Sequence, residues 1–318
     1  MSFIFTSMTH ASSRQGGFLA RTLPFWLLLP ALIFIAFVQV YPGLYTFYLS
    51  LNNIDAGVRK YVGLQNFERV FGSAEFSESS IHTVVFLVGY VFLTLLAGFA
   101  VALVLNRKMK LSALYITLIF VPWVLSDVIV GYVWKLYVDP STGLLSEFFK
   151  APIFGLNNSP LLIASPPPSI LPDIPFPPAP ALIYLIGAAA WKALPFTTLL
   201  LLAALQTVPR EIIESSRIDG ANGWNTFRLI TLPLILPTIL VALFNLTLGG
   251  MNGVGMVFSL TGGGPGTATE VLSYLLYSIG FSRLDFGQAA SLSVFIFAIN
   301  LVLIFVSLRA SRSRTDLV

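Results

Sequence analysis

Residues Thr207 to Pro237, TVPREIIESSRIDGANGWNTFRLITLPLILP, decide the fold. Pro209 suits the first turn of a helix, where its missing N–H costs nothing. Arg210 to Ile218 reads as a short helix that Asp219-Gly220 closes, because glycine accepts the left-handed conformation of a helix end. Asn222 caps a second short helix through Phe227 to Ile230, and Pro233 opens the next apolar run. Glu211, Glu214, Arg217, Asp219 and Arg228 cannot lie in lipid. The segment therefore sits in water or against another protein, and Ile212, Ile213, Ile218, Trp224 and Phe227 require a partner groove.

The rest of the chain is of a different kind. Of 318 residues 56% are hydrophobic and only 10% charged, with a mean hydropathy of +0.84. That composition excludes an ordinary soluble domain and fits an all-α polytopic membrane protein. Apolar runs of the length a helix needs to cross a bilayer recur six times. They fall at about 22–51 (bent at Pro42), 81–105, 111–138, 181–206, 232–260 and 286–308. The first run is too long for a secretory signal and lacks a clean cleavage site. Residues 1–21 and 309–318 are polar tails, and Asn52 to Ser80 is a polar loop. Residues 139–180 form a linker with Ser165-Pro-Pro-Pro and a second proline cluster at 175–180. Such density gives extended chain, either an insertion over the outer mouth or a proline motif for another protein. Thr261 to Asp285 is an outer loop with a semi-apolar helix around Val271 to Ile279.

Lysine and arginine set the orientation. With both termini and the Glu214 segment in the cytoplasm, the inner side holds 11 of 18 basic residues and 4 of 14 acidic ones, +7 against −3 elsewhere. The inverted arrangement would reverse the rule. No cysteine is present, which removes disulfides, thiolate metal sites and a thiol nucleophile, and two histidines are too few for a histidine metal site. No metal site or catalytic set can be assembled, so an intramembrane enzyme finds no support.

Glu214-Ser215-Ser216, Gly220, Ile230, Leu232 and Pro233 fall on the spacing of the EAA loop, here residues 207–233. That loop marks the permease subunits of binding-protein-dependent ABC importers. Leu205-Gln206, Ile218-Asp219-Gly220-Ala221 and Phe227 resemble the carbohydrate-uptake, maltose-type branch. So do Val62 to Phe67, Leu260 to Pro265, Asp285-Phe286-Gly287 and Ala289-Ala290-Ser291. The resemblance implies a multi-pass protein of the cell inner membrane, not itself an enzyme, that supplies half of a sugar path across the lipid bilayer. It implies a second permease subunit, a cytoplasmic ABC ATPase dimer and an extracytoplasmic solute-binding protein, and no nucleic acid. ATP and Mg would bind the ATPase, with no cofactor on this chain. Glu214, Ser215, Ser216, Ile218, Asp219, Gly220, Trp224 and Phe227 would form the coupling contact. A non-sugar cargo, such as glycerol phosphate or a compatible solute, is the alternative. The glycine run Gly262-Gly263-Gly264 is not a phosphate loop, because no lysine follows it.

Three stripes are candidates for the substrate path. Trp123, Asp127, Gly131 and Trp134 are spaced to share one helix face. Aromatic rings beside a carboxylate suit a sugar, while a structural partner for Asp127, a lysine or backbone donor, is the alternative. Asn245, Gly249, Asn252 and Met256 repeat at four, three and four in a glycine-rich stretch that would loosen or break the helix. The asparagines either line the path or the small residues simply allow close packing. Gln288, Ser291 and Phe295 form a weaker stripe. Lys192 reads as snorkelling to the outer interface, and Pro195 as a kink.

Overall fold

A computed structural model describes residues 19–55, 58–107, 110–146 and 178–315. The proline clusters at 165–168 and 175–177 lie outside the described residues. Among those described, the chain is helical apart from one small hairpin. Five helices are long and apolar enough to span a bilayer, or six if a bent pair is one span.

The first span runs from α1 (Leu19–Ile35) through a π turn, Ala36–Val40, into α2 (Tyr41–Ser50). The disturbance expected at Pro42 is this turn, closed by Tyr41 N–H donating to Ala36 O. The segment read as a loop contains structure: β1 (Asn52–Asp55) pairs antiparallel with β2 (Val58–Tyr61), followed by α3 (Gln65–Phe71). Asn66, fully buried, ties the hairpin down by donating to Ser50 O and Asn52 O, both at 3.0 Å. The second span, α4 (Ala74–Leu105), starts seven residues before the expected Ile81. Ser73 Oγ caps it by accepting from Phe76 N–H, a start signal that hydropathy alone passes over.

The third span departs from the sequence reading. It is two helices, α5 (Ser112–Val124) and α6 (Asp127–Tyr137), bent by 98°. Pro122 weakens the end of α5. Ser126 then restarts the chain by accepting from Ile129 N–H, with Asp127 in the first turn. The fourth span is α7 (Pro180–Thr207). The short helices α8 (Arg210–Ile218) and α9 (Gly223–Thr226) follow. A π turn, Phe227–Thr231, joins α9 to α10 (Leu232–Asn252) without a break. The fifth span is therefore one helical run from Gly223 to Asn252, where a separate second coupling helix was expected. It ends at Gly253, which turns extended, and α11 (Gly255–Leu260) follows. After a loop over residues 261–271 come α12 (Leu272–Tyr277), the π turn Ser278–Ser282, and the last span, α13 (Phe286–Thr315).

Lipid tails are as apolar as leucine, so the helices are held by close packing rather than by escape from water. The main contact is α4 against α7, with Phe86 and Tyr90 on one side and Leu182 and Leu185 on the other, all buried. Gly98 lets the backbones approach: a Cβ there would sit 3.1 Å from Thr197 Cγ2. The two half-helices α6 and α11 cross at Gly131, where a Cβ would fall onto Ser259 Oγ. The break before α6 and the break before α11 thus lie side by side.

Candidate coupling element and translocation cavity

The polar stretch between α7 and α10 folds as a hinge-like pair. Gly220 has φ +85°, and Ala221 N–H donates to Ser216 O while Gly220 N–H donates to Arg217 O. This 6→1 and 5→2 pattern is a Schellman close of α8. Asn222 Oδ1 accepts from Asn225 N–H at 2.8 Å and opens α9. The two short helices are then tied across the turn by the hydroxyls of Ser216 and Thr226, 3.2 Å apart and both buried. A small residue is required at Ser216 for that contact. Ser215, one residue back, is exposed and its hydroxyl bonds only to Ile212 O.

The element's apolar residues divide into two sets. Ile213 packs inward against the cluster of Leu105, Leu205, Val208 and Ile235. Phe227, expected to face a partner, is half-buried and packs against Phe99 of α4, ring centres 5.7 Å apart and planes tilted by 44°. Ile218 and Trp224 remain 87% and 64% exposed, and Leu229, which the sequence reading passed over, 69%. Glu214 and Asp219 are exposed beside them. Lone exposed apolar side chains need no explanation, whereas Ile218, Trp224 and Leu229 lie exposed within a dozen residues, among charges.

Midway along α7 lies a cavity of about 200 Å³, walled by α4, α5, α6, α7, α10 and α11. Sites that enclose a small ligand begin at roughly 300 Å³, so this chain supplies a wall and not a closed site. Trp123 of α5 stacks on Phe196 of α7 at 5.8 Å and 12°. Asp127, at the start of α6, accepts an ion pair from Lys192 Nζ of α7 at 2.8 Å. Tyr90, Asn245, Gly249 and Met256 complete the lining. Lys192 therefore points into the bundle and does not snorkel to an interface. It sits twelve residues into α7, about 18 Å from its start at 1.5 Å per residue.

The other path candidates go elsewhere. The bend after Val124 puts Trp123 and Trp134 on different helices. Trp134 packs among Tyr137, Tyr184 and Trp191, and its carbonyl accepts from Tyr184 OH. Asn252 donates to Leu248 O and accepts from Asn300 Nδ2 at 3.2 Å, tying α10 to α13 on the far side from this cavity. Gln288 is engaged with Asp285 at the start of α13. Tyr90, Lys192 and Phe196 were missed by the sequence reading. The available signal was Lys192 itself, since a lysine within a span calls for a counter-ion and a lysine partner was already one of the two readings of Asp127.

Together these features define a polytopic helical membrane protein with a folded, exposed turn between α7 and α10 and an open notch within the bundle. The chain belongs to the family of binding-protein-dependent transport system inner membrane components, which it matches over residues 94–314. It is 32% identical over 296 residues to the trehalose/maltose transport system permease protein MalF of Thermococcus litoralis, spanning 92% of this chain and 95% of that one. It is 30% identical over 290 residues to the sn-glycerol-3-phosphate transport system permease protein UgpA of Agrobacterium fabrum, spanning 89% and 92%. One chain of a bacterial alginate ABC transporter, solved with its alginate pentasaccharide-bound periplasmic protein, superposes with a TM-score of 0.74. That match spans 95% of this chain and 99% of the other at 24% identity, and it bears on the fold.

Proposed function

We propose that this chain is the permease subunit of an ABC importer for a di- or oligosaccharide, forming half of the path and coupling it to a separate ATPase. The observation that carries the reading is the unbroken helical run from Gly223 to Asn252. It joins the docking turn to Asn245 and Gly249 in the cavity wall, a rod of 30 residues and about 45 Å. A push on Ile218 and Trp224 therefore moves the cavity lining directly.

The mechanism is alternating access. An ATPase dimer on the cytoplasmic face binds ATP and Mg and closes, carrying α8 and α9 with it. The rod swings α10 and opens the notch outward to a second permease subunit and a docked solute-binding protein. Sugar ring faces then cover the Trp123–Phe196 stack, and hydroxyls reach Asp127, Asn245 and Tyr90. Hydrolysis in the ATPase resets the spans. The distribution of lysine and arginine supports a cytoplasmic position for both termini and the docking turn. The similarity to a trehalose/maltose permease over almost the whole chain supports a sugar as cargo.

The test is Gly220→Pro in the native membrane. Proline cannot take φ +85°, so the docking turn is lost while the spans remain. Uptake of sugar and sugar-stimulated ATPase activity should both fall to background, with the protein still present in the membrane fraction. Normal uptake by a well-inserted variant would sink the coupling role.

A further inference from the structure

Asp127 and Lys192 are the only charged side chains in the cavity lining among the described residues, and they neutralise one another at 2.8 Å. Asp127 is anchored twice. It occupies the first turn of α6, where the helix end favours a carboxylate, and α6 itself is wedged against α11 at Gly131. Lys192 is fixed midway along α7, the best-packed helix of the bundle. No arginine lines the cavity, although a guanidinium fork is the usual means of holding a phosphate or carboxylate.

We infer that the Asp127–Lys192 pair is a charge filter, so that the path passes uncharged carbohydrate and turns back phosphate esters and uronic acids. This deepens the sugar-importer reading and rests on it. An anion that reaches the Lys192 ammonium comes close to the Asp127 carboxylate held 2.8 Å from it, and the two negative charges repel. Asp127 is held at the start of α6, so two like charges would then share the notch. A neutral sugar meets no such conflict. The second carboxylate oxygen and Asn245 bond its hydroxyls, and the Trp123–Phe196 stack takes a ring face. The pair thus separates cargo of the kind named for the trehalose/maltose relative from cargo of the kind named for the glycerol-phosphate relative.

The experiment is binding to the complex recovered with the tagged chain from native membranes, reconstituted in nanodiscs without the solute-binding protein and read by saturation-transfer NMR. The neutral probes are trehalose, maltose and sucrose, and the charged ones trehalose 6-phosphate and sucrose 6-phosphate. Wild-type protein should bind at least one neutral sugar and bind the esters at least tenfold more weakly. Asp127→Asn frees Lys192, so the esters should gain at least tenfold while the neutral probes weaken severalfold. The double variant Asp127→Asn/Lys192→Met removes both charges and should return the esters to weak binding. Opposite movement of the two probe classes is what a merely structural tie would not produce. Equal binding of esters and sugars by wild type, or parallel weakening of both in Asp127→Asn, would overturn the filter and leave the sugar path standing. Binding of no probe by wild type would overturn the path itself, and the filter with it.

Discussion

Gly220 shows how much can hang on one backbone conformation. At φ +85° an L side chain is strained by about 1–2 kcal/mol, and nothing near its Cβ position is crowded. Gly220→Ala should therefore fold, lose part of the coupling and keep its membrane level, measured as ATPase stimulation per inserted protein. A wild-type level of stimulation would show that the Schellman turn is not the working part. In the loop before α12, Glu270 is buried. Burial first, then the carboxylates of Glu75 and Glu78, push its pKa up, with Arg283 opposing. A raised carboxyl pKa means the folded state holds the proton more tightly. The stabilisation is complete below the ordinary carboxylate range near 4.3 and is lost as pH rises through the raised value. Glu270→Gln should therefore raise the melting temperature in detergent at pH 7.5 by a few degrees and narrow the difference between pH 5 and pH 7.5. An unchanged pH dependence would place the titration elsewhere.

At the scale of elements, the two broken spans set the site. The 98° bend between α5 and α6 and the extended Gly253 before α11 bring Asp127 and Met256 to one notch, which continuous helices would have separated. Gly131→Val should drive α6 off Ser259, costing about 1–3 kcal/mol by overpacking, and should abolish sugar binding in the cavity by the same NMR measurement. Retained affinity would mean the crossing does not hold the notch. Much of this was legible in the chain. The docking turn could be read from Pro209, Gly220 and Asn222, because caps and turns are local chemistry. The break at Gly253 could be anticipated from a run of four glycines in seven residues, Gly249 to Gly255. The bend at Ser126-Asp127 was overridden by hydropathy: an apolar run of spanning length reads as one helix even where a Ser cap and an acid announce a second. The shared face assigned to Trp123, Asp127 and Trp134 failed for that reason. A lysine partner for Asp127 was one of its two readings, but that Lys192 is that lysine lay further out of reach, since the pair joins residues 65 apart in sequence and depends on how α6 and α7 cross.

For the whole molecule, the arrangement is that of one wall of a path with a rod through it. The notch is too small to enclose a sugar, and Ile218, Trp224 and Leu229 stay exposed at the other end of the rod. Both features are completed by partners under the reading proposed above. The absence of cysteine in the sequence makes a single Ile218→Cys a clean reporter. It should react with a maleimide in the isolated chain and be shielded at least fivefold when the ATPase is bound. The most direct measurement is a pull-down of the tagged chain from native membranes in mild detergent, followed by an ATPase assay with the solute-binding protein and a panel of sugars. The account predicts recovery of an ABC ATPase whose activity rises with a neutral di- or oligosaccharide. No ATPase in the pull-down, with the spans intact and the turn from Arg210 to Phe227 folded, would contradict it.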